Sequence, residues 1–352
     1  MGIFSFENVG ISGISAAVPK QVINNYKHNI LFDKEDIKEV VDKIGVKERR
    51  FADEFTCSSD LCYAAAESLI TDMNINRGDI DLLIFITQTP DYRMPANSIL
   101  LQDRLKLPST TIAFDINLGC SAFLYGLAVA YSMIDSGIVK NALLLDGETR
   151  SKVYSQKDRK TAFLFGDAGI AALIQSGKKF NKSWFSLNSD GSRESLIKIP
   201  AGGYRNMSSV DTLTEKVVDE YGNIRSEEQG YMEGADVFNF VIREVPKDFK
   251  RLIERSQIDV ASIDYFVFHQ ANSYINRFLA RKMKLPAYKI PTTIEKFGNT
   301  SSVSIPLTIV SELKENLKNH KRLLLSGFGV GLSWGTALLE VEDCYIGKIV
   351  EI

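Results

Sequence analysis

Apolar runs of strand length alternate along the chain with apolar stretches of helical length. Residues 80–85, Ile-Asp-Leu-Leu-Ile-Phe, and residues 141–146, Asn-Ala-Leu-Leu-Leu-Asp, each predict a strand. Between them, residues 121–137 are apolar on nearly every side, which predicts a helix that is buried all round. Because continuous apolar strands alternate with helices, the pattern favours an α/β fold whose sheets are covered on both faces.

Three segments of the first half recur in the second half in the same order. The pairs are residues 80–85 with 263–268, residues 119–121 with 298–300, and residues 143–147 with 323–327. The last two pairs lie 179 and 180 positions apart. Three ordered matches at a nearly constant offset predict two copies of one α/β unit. Cys120 and Asn299 then occupy equivalent strand-to-helix turns, which a pseudo-twofold arrangement brings to one shared interface.

The repeated pattern stops at residues 178–232, which are polar and contain Pro-Ala-Gly-Gly-Tyr at 200–204. We expect the chain to divide near residue 177, with an N-terminal half over 1–177 and a C-terminal half over 178–352. Much of the insertion over 178–232 is expected to be loop, either a lid over a site or a mobile surface excursion.

The 352 residues are 45% hydrophobic and 24% charged, which is typical of a globular protein with a large core. A net charge of −2 gives no general reason to expect nucleic-acid binding. No apolar run reaches the roughly 18 residues that a membrane span requires, and the first residues do not resemble a signal peptide. We therefore expect a cytoplasmic protein that binds neither nucleic acid nor membrane.

Four cysteines stand at positions 57, 62, 120 and 344, too few and too scattered for a disulfide framework. They suit a reducing cytosol, and none forms a metal-ligand pair, so we expect no bound metal. Cys120 stands in Asn-Leu-Gly-Cys-Ser, residues 117–121, directly before the predicted buried helix. A lone cysteine in an apolar segment is usually an inert core residue. At a helix start, however, the helix dipole stabilises a thiolate and free N–H groups hold an oxyanion, so Cys120 is our candidate nucleophile.

Two further polar groups follow apolar segments: His269 in His-Gln-Ala-Asn, residues 269–272, and Asn299 in Gly-Asn-Thr, residues 298–300. Each alone has an ordinary explanation, since a histidine at a strand end is usually structural and Gly-Asn-Thr is common turn chemistry. Together with the thiol of Cys120, an imidazole and a carboxamide predict thioester chemistry in a water-poor pocket. There an amide stabilises a developing enolate oxygen without the cost of burying an ion.

With these residues in place, the chain resembles β-ketoacyl-acyl-carrier-protein synthase III, in the thiolase superfamily, over nearly its whole length. The motifs that carry the resemblance are residues 113–121, 164–167, 200–203, 269–272, 298–301 and 327–335. The resemblance implies a layered αβαβα fold with two duplicated halves, and a homodimer. It also implies that no cofactor is needed beyond the acyl and malonyl thioesters that are the substrates.

The resemblance further implies a two-stage reaction at Cys120, His269 and Asn299. The Cys120 thiolate attacks an acyl thioester, on CoA or on acyl carrier protein, while the backbone N–H groups of Cys120 and Val330 hold the oxyanion. A malonyl thioester of acyl carrier protein then loses CO₂, and His269 and Asn299 donate hydrogen bonds to the enolate oxygen. The carbanion attacks the acyl-enzyme and gives a β-ketoacyl thioester two carbons longer, as in fatty acid or related secondary-metabolite biosynthesis.

Basic residues follow His269 on a predicted helix. Arg277 and Arg281 share a face of this helix, which is either a solvated face or a docking site for an acidic carrier or a phosphate-bearing cofactor. The resemblance implies carrier or CoA contacts at Arg159, Arg281 and Lys282, and we expect Asn272 and Arg277 to contribute to the same binding surface. Met94 is expected to shape the acyl pocket from a loop contributed by the dimer mate.

At four positions the chain differs from the family pattern. They are Glu39 in place of the tryptophan that stacks on adenine, Lys43 and Tyr274 in place of arginines, and Val330 in place of a glycine. The absent stacking ring weakens the case for a free acyl-CoA donor and leaves a carrier-bound donor open.

Other functions fit the same residues. An acyltransferase of this fold passes the acyl group from Cys120 to a hydroxyl or amine, and a cysteine hydrolase uses His269 as a base for water. A non-catalytic partner subunit binds the carrier protein and performs no chemistry. The expected apolar surroundings exclude water and argue against hydrolysis. Release of CO₂ with carbon–carbon bond formation separates condensation from transfer.

Overall fold

This computed structural model describes residues 2–28 and 31–352. Its strands are β1 (Ile3–Phe6), β2 (Val9–Val18), β3 (Val22–Asn24), β4 (Glu48–Arg50), β5 (Leu82–Ile86), β6 (Ile112–Ile116), β7 (Asn141–Thr149), β8 (Asp167–Ser176), β9 (Ser183–Ser189), β10 (Ile197–Lys198), β11 (Lys216–Val217), β12 (Ile224–Arg225), β13 (Tyr231–Met232), β14 (Tyr265–Phe268), β15 (Lys321–Gly329), β16 (Ser333–Val341) and β17 (Tyr345–Glu351). Its α-helices are α1 (Asn25–His28), α2 (Lys34–Ile44), α3 (Ser58–Asp72), α4 (Asn97–Arg104), α5 (Ala122–Asp135), α6 (Val210–Leu213), α7 (Gly234–Ser256), α8 (Ser273–Lys282), α9 (Ile294–Phe297) and α10 (Ser304–Glu312).

The two large sheets share the arrangement of four consecutive strands, β2-β8-β7-β5 in the first and β9-β16-β15-β14 in the second. The first sheet has the order β17-β2-β8-β7-β5-β6, and the second has the order β1-β9-β16-β15-β14. In the first sheet β5 runs parallel to β7, and β7 runs antiparallel to β8. In the second sheet β14 runs parallel to β15, and β15 runs antiparallel to β16. The predicted duplication of one α/β unit is therefore confirmed.

Two apolar helices, α5 and α10, lie between the sheets and join them into one core. Phe123, Leu127 and Tyr131 of α5 are buried in a cluster that also contains Ile84 of the first sheet and Leu325 of the second. On the outer faces, α3 covers the first sheet and α7 covers the second. The result is the layered αβαβα arrangement expected from the sequence. Each fully buried leucine or phenylalanine stabilises such a core by roughly 1.5–3 kcal/mol.

The first and last strands each pair with the sheet that is formed mainly by the other half of the chain. β1 pairs with β9 in the second sheet, although β2, β5, β6, β7 and β8 lie in the first. β17 pairs with β2 in the first sheet, although it follows β16 of the second. The division at residue 177 falls between β8 and β9 and stays a prediction. On either side of that point, the chain contributes one terminal strand to the sheet of the other half.

One strand lies inside the segment that the sequence predicts to be mostly loop. β9, over Ser183–Ser189, pairs with β1 and β16, and it is a regular strand that the sequence did not predict within this segment. Polar residues interrupt the apolar residues of this strand, so its sequence does not form a continuous apolar run. Ser186, for example, is fully buried because its hydroxyl donates a hydrogen bond to the Asp248 carboxylate of α7. The rest of the segment contains short elements, which are a 3-10 helix over Gly191–Leu196, the strands β10 to β13 and the helix α6, among irregular stretches.

Within residues 2–28 and 31–352, no helix is both long and apolar enough to span a bilayer. The same residues contain no group of His, Cys, Asp or Glu side chains arranged to bind a metal ion. All four cysteines are free thiols.

Asp248 ties α7 to the second sheet, since its carboxylate accepts hydrogen bonds from Ser186, Asn188 and Thr336 at 2.5, 2.9 and 2.8 Å. Asp248→Ala leaves these donors without their acceptor and is expected to lower the free energy of unfolding, measured by urea denaturation, by about 2 kcal/mol or more. Arg251→Ala is the control, because Arg251 is half exposed and lies 3.7 Å from Asp248. Its expected loss is below about 1 kcal/mol. Equal losses in the two variants would contradict this role of Asp248.

Candidate active site

Cys120 lies in the turn that leads from β6 into α5, at the start of the helix between the two sheets. The residue is 8% exposed. β15 packs directly against it, and a Cβ atom placed on Gly329 would lie 2.6 Å from Cys120 Sγ, so only glycine leaves room for the thiol. The positive end of the α5 dipole and the free backbone N–H groups of its first turn lie beside this sulfur.

The surroundings of Cys120 favour the thiolate. Burial alone opposes ionisation, but the charge and hydrogen bonding of the His269 imidazole act against it. The guanidinium of Arg150 and a hydrogen bond from the Val330 backbone add to this effect, and the pKa of Cys120 falls to about 7. Burial without such partners keeps a thiol neutral, as at Cys62, where it raises the pKa well above the usual range.

His269 follows β14, the counterpart of β5, and is 2% exposed. Its Nδ1 lies 2.7 Å from Ser304 Oγ at the start of α10, and its ring meets the Phe328 ring edge-on with centroids 5.4 Å apart. Ser304 Oγ also accepts a hydrogen bond from the Gln270 N–H at 3.2 Å. When the Ser304 hydroxyl donates to Nδ1, a neutral ring carries its proton on Nε2.

Asn299 lies in the turn before α10, the counterpart of the turn before α5. Its backbone N–H donates to the Leu164 carbonyl at 2.9 Å, and its carbonyl accepts from the Gly166 N–H at 3.1 Å, which fixes the turn. Its Oδ1 accepts from the Ser301 N–H at 2.9 Å. Nδ2 makes only a long contact of 3.5 Å with the Ala271 carbonyl, so it is the donor left for a substrate.

The side chains of Cys120, His269 and Asn299 line one cavity of about 300 Å³, and Val330 lines it as well. The structure therefore brings together the groups that the sequence expected to meet, while their roles in catalysis stay predictions. Much of the remaining wall is apolar and includes Leu164, Phe165, Ile197, Val237, Ile275 and Phe328. A wall of this kind excludes water and strengthens the electrostatic interactions inside.

A buried polar group near the nucleophile was not predicted from the sequence. Arg150 is 5% exposed and pairs with Glu148 at 3.3 Å. Its Nη2 donates to Gln88 Oε1 at 2.7 Å and to Ser301 Oγ at 2.9 Å. Ser301 Oγ in turn lies 3.8 Å from Cys120 Sγ. A signal was present in the sequence, because these charged residues end the apolar strand β7 just as His269 follows β14.

Two of the predicted carrier or CoA contacts occupy different surroundings. Asn272 lines the cavity, and its Oδ1 caps α8 by accepting the Ile275 N–H at 2.8 Å. Arg159 lies outside the cavity wall and forms an ion pair of 2.6 Å with Asp36 of α2. Contacts with a carrier or CoA remain predictions for both residues.

The remaining predicted contacts are on the surface. Arg277, Arg281 and Lys282 are exposed on α8, where Lys282 Nζ donates to the Ile242 carbonyl at 2.7 Å. Met94 is 76% exposed and does not line the cavity of its own chain. Met94 can therefore line an acyl pocket only in a second copy of the chain, as expected from the sequence. This role stays a prediction.

Known proteins of similar sequence and structure align with nearly the whole chain. Residues 114–191 match the family described as 3-oxoacyl-[acyl-carrier-protein] synthase III, and residues 253–341 match its C-terminal domain. The β-ketoacyl-[acyl-carrier-protein] synthase III of Clostridioides difficile is 35% identical over 332 residues, which cover 94% of this chain and 98% of that protein. The crystal structure of a 3-oxoacyl-(acyl-carrier protein) synthase from Burkholderia xenovorans LB400 matches with a TM-score of 0.94 and 37% identity, covering 100% of this chain and 99% of that one. The corresponding synthase III of Aquifex aeolicus VF5 matches with a TM-score of 0.78 and 30% identity, covering 94% and 99%.

Together, the fold and these similarities define the class of the protein as an acyltransferase with a thiolase-like fold. The chain belongs to the 3-oxoacyl-[acyl-carrier-protein] synthase III family. The resemblance drawn from its sequence motifs is thereby confirmed.

Because the thiolate is the reactive form of cysteine, the rate at which iodoacetamide alkylates Cys120 is expected to rise with pH through a midpoint near 7. His269→Ala removes a group that lowers this pKa, so its midpoint is expected to move upward by about one pH unit or more. Intact-mass measurements across a pH series give both profiles. Cys120→Ser measures the background alkylation of the other cysteines. This background is expected to be slow, because burial raises the pKa of Cys57, which is partly exposed. A wild-type midpoint near the ordinary value of 9.0 would contradict the prediction.

Proposed function

We propose that this chain catalyses the decarboxylative condensation of an acyl thioester with a malonyl thioester of acyl carrier protein, through an acyl group on Cys120. The observation that carries this function is the convergence, in one largely apolar cavity, of a thiol with a lowered pKa, an imidazole and a carboxamide. The pathway we propose is fatty acid biosynthesis or a related acyl pathway. The substrates bring the reacting groups, and no cofactor is part of the proposal.

In the first stage, Cys120 Sγ attacks the carbonyl carbon of the acyl thioester and a carbon–sulfur bond forms. The N–H groups of Cys120 and Val330 hold the oxyanion, a role supported by the hydrogen bond from the Val330 backbone toward the sulfur. The intermediate then collapses, and the bond to the carrier or CoA sulfur breaks. Cys120 reacts as the thiolate that its lowered pKa makes available, and the leaving carrier or CoA thiolate takes up a proton from solvent.

In the second stage, the bond between the malonyl methylene carbon and its carboxylate breaks and CO₂ leaves. The electron pair passes into an enolate, whose oxygen accepts hydrogen bonds from His269 Nε2 and Asn299 Nδ2. The enolate carbon attacks the acyl carbon on Cys120, a carbon–carbon bond forms and the Cys120 thiolate leaves. The carrier then holds a β-ketoacyl group two carbons longer than the acyl group.

The hydrogen bond between Ser304 and His269 favours condensation over the alternatives. A proton on Nε2 makes the ring a donor to an enolate oxygen. Transfer to a hydroxyl or amine, and hydrolysis by water, both need an unprotonated nitrogen at the same place to act as a base. The geometry around Ser304 therefore supports a donor role.

The basic face of α8 is the surface that we propose for carrier docking. Arg277, Arg281 and Lys282 are exposed there, and Asn272 at the start of the same helix lines the cavity. Positive charge on such a rim steers an acidic carrier toward the site. We also propose a cytoplasmic location, because a catalytic thiolate requires a compartment that keeps cysteines reduced.

We further propose a homodimer. β6 ends the first sheet and has an unpaired edge, and the apolar residue Ile112 on it is 41% exposed. Tyr92, Met94 and Ile99, from the segment just before it, are 61%, 76% and 49% exposed. Unpaired strand edges with exposed apolar side chains favour association with a second copy. Pairing there is the arrangement in which Met94 would reach the acyl pocket of the partner.

The condensation is tested with variants of the three site residues. Cys120→Ala is expected to take up no acyl group, measured by intact mass with a panel of acyl-CoA and acyl-carrier donors. Asn299→Ala leaves the thiol and the groups that lower its pKa in place, so it is expected to retain acylation. Asn299→Ala and His269→Ala are expected to lose CO₂ release and β-ketoacyl product by roughly 10²–10³-fold.

Two outcomes of these assays would redirect the proposal. Acylation of Cys120 with an ester or amide product, and without acyl-dependent CO₂ release, would establish transfer in place of condensation. If no donor labels Cys120 while iodoacetamide still does, that result would contradict the condensation and favour a carrier-binding subunit without this chemistry.

The proposed dimer is tested at the edge of β6. Ile112→Lys places a charge in the expected interface and should convert the dimer to a monomer in size-exclusion chromatography with light scattering. Ile138→Lys is the matched control, because Ile138 is 62% exposed beyond the end of α5 and lies away from this edge. A monomeric wild-type chain, or dissociation by both variants alike, would refute the β6 interface.

A further inference from the structure

We infer that the acyl group transferred to Cys120 carries an uncharged oxygen, as a hydroxyl or a carbonyl, and that an unsubstituted alkyl chain of the same length is a poorer substrate. This inference rests on the proposed function and specifies the substrate class of the same site. It is carried by the position of two polar side chains, Arg150 and Gln88, in the cavity wall next to the nucleophile.

Both side chains line the cavity that holds the reacting sulfur. Gln88 Oε1 is so close to the backbone before Cys120 that a Cβ atom placed on Gly119 would lie 2.7 Å from it. Arg150 Nη2 donates to this oxygen at 2.7 Å and to Ser301 Oγ at 2.9 Å, and Ser301 Oγ lies 3.8 Å from Cys120 Sγ. An acyl group bonded to this sulfur therefore lies against a wall of hydrogen-bond donors.

These donors are only partly used by the described residues. A guanidinium donates and never accepts, so Gln88 must present its Oε1 to Arg150 and direct its Nε2 elsewhere. Nε2 donates to no group within residues 2–28 and 31–352, and all the hydrogen bonds of Arg150 to described side chains use Nη2. Arg150 Nε is buried without any partner. An alkyl chain would displace water from this wall and replace none of its hydrogen bonds, whereas an oxygen on the chain accepts one.

The burial pattern indicates which part of the thioester meets this wall. The arm that links the acyl group to a carrier or CoA must reach solvent, and the cavity is exposed at Lys198 and Ile199. Arg150 is 5% exposed and lies at the buried end. The acyl group is the part of the substrate that can occupy this end.

The charge balance excludes a carboxylate as the favoured oxygen group. Glu148 is fully buried, lies 3.3 Å from Arg150, and also accepts hydrogen bonds from the Gln88 N–H at 3.2 Å and from Thr89 Oγ1 at 3.0 Å. The positive charge of Arg150 is thereby already matched. A second carboxylate would lie near both Glu148 and the Cys120 thiolate without a cation of its own. A neutral oxygen meets the same donors at no such cost.

A competition among four-carbon acyl groups tests the inference on the wild-type chain. Butyryl, 3-hydroxybutyryl and succinyl groups are loaded on acyl carrier protein and mixed in equal amounts, and the adducts on Cys120 are separated by intact mass at short times. The 3-hydroxybutyryl adduct is expected to exceed the butyryl adduct by about tenfold or more. It is expected to exceed the succinyl adduct by at least the same factor. Equal or faster labelling by butyryl overturns the inference and leaves the proposed function standing. Preferred labelling by succinyl overturns the choice of an uncharged oxygen.

Variants locate the preference in this wall. Gln88→Leu removes one donor and keeps the size of the side chain, and Arg150→Met with Glu148→Gln removes both charges together, so neither ion is left unpaired. Both proteins are expected to lose most of the preference for the hydroxylated group, while Ile275→Val, on the apolar wall, retains it. Retention of the preference in both Gln88→Leu and the Arg150–Glu148 double variant overturns the assignment. If no acyl group labels Cys120 while iodoacetamide does, the proposed function fails first and this inference fails with it.

Discussion

Burial of two helix starts between two sheets is the constraint on which the site depends. α5 and α10 fill the layer between the sheets, and each begins at a turn that carries a polar side chain, Cys120 before α5 and Asn299 before α10. Since the sheets repeat one strand order, these turns occupy equivalent positions at the contact between the halves. β14 then directs His269 to the same contact. Residues that are distant in sequence meet because the duplicated core positions both turns and the end of β14 at one contact.

The same burial makes the thiol reactive only in combination with its neighbours. A dry interior disfavours a thiolate, as the raised pKa values of Cys62 and Cys344 illustrate. At Cys120 the imidazole of His269 and the guanidinium of Arg150 reverse the outcome, because opposite charges interact strongly where water is absent. Burial in the apolar wall thus raises the pKa of Cys120, and its charged and hydrogen-bonding neighbours more than offset that effect.

Much of the fold follows from the sequence, because elements buried on all sides need continuous apolar residues. This reasoning identified β5, β7 and α5, and the internal repeat identified the equivalence of Cys120 and Asn299. It missed β9, whose buried Ser186 is stabilised by Asp248, a residue 62 positions away. It also missed Arg150, because its position after β7 suggests a functional residue but does not reveal the ion pair with Glu148 that allows its burial. Such cases depend on partners that only the packed sheets bring together.

The exchange of terminal strands links the order of synthesis to the order of folding. β17 is translated after every other strand of the sheet that it completes, so β2 keeps an unpaired edge on the ribosome until the last segment emerges. Until then the nascent N-terminal half exposes a template for intermolecular pairing. The first sheet therefore gains this strand only after the second half has been synthesised, despite the internal symmetry of the fold.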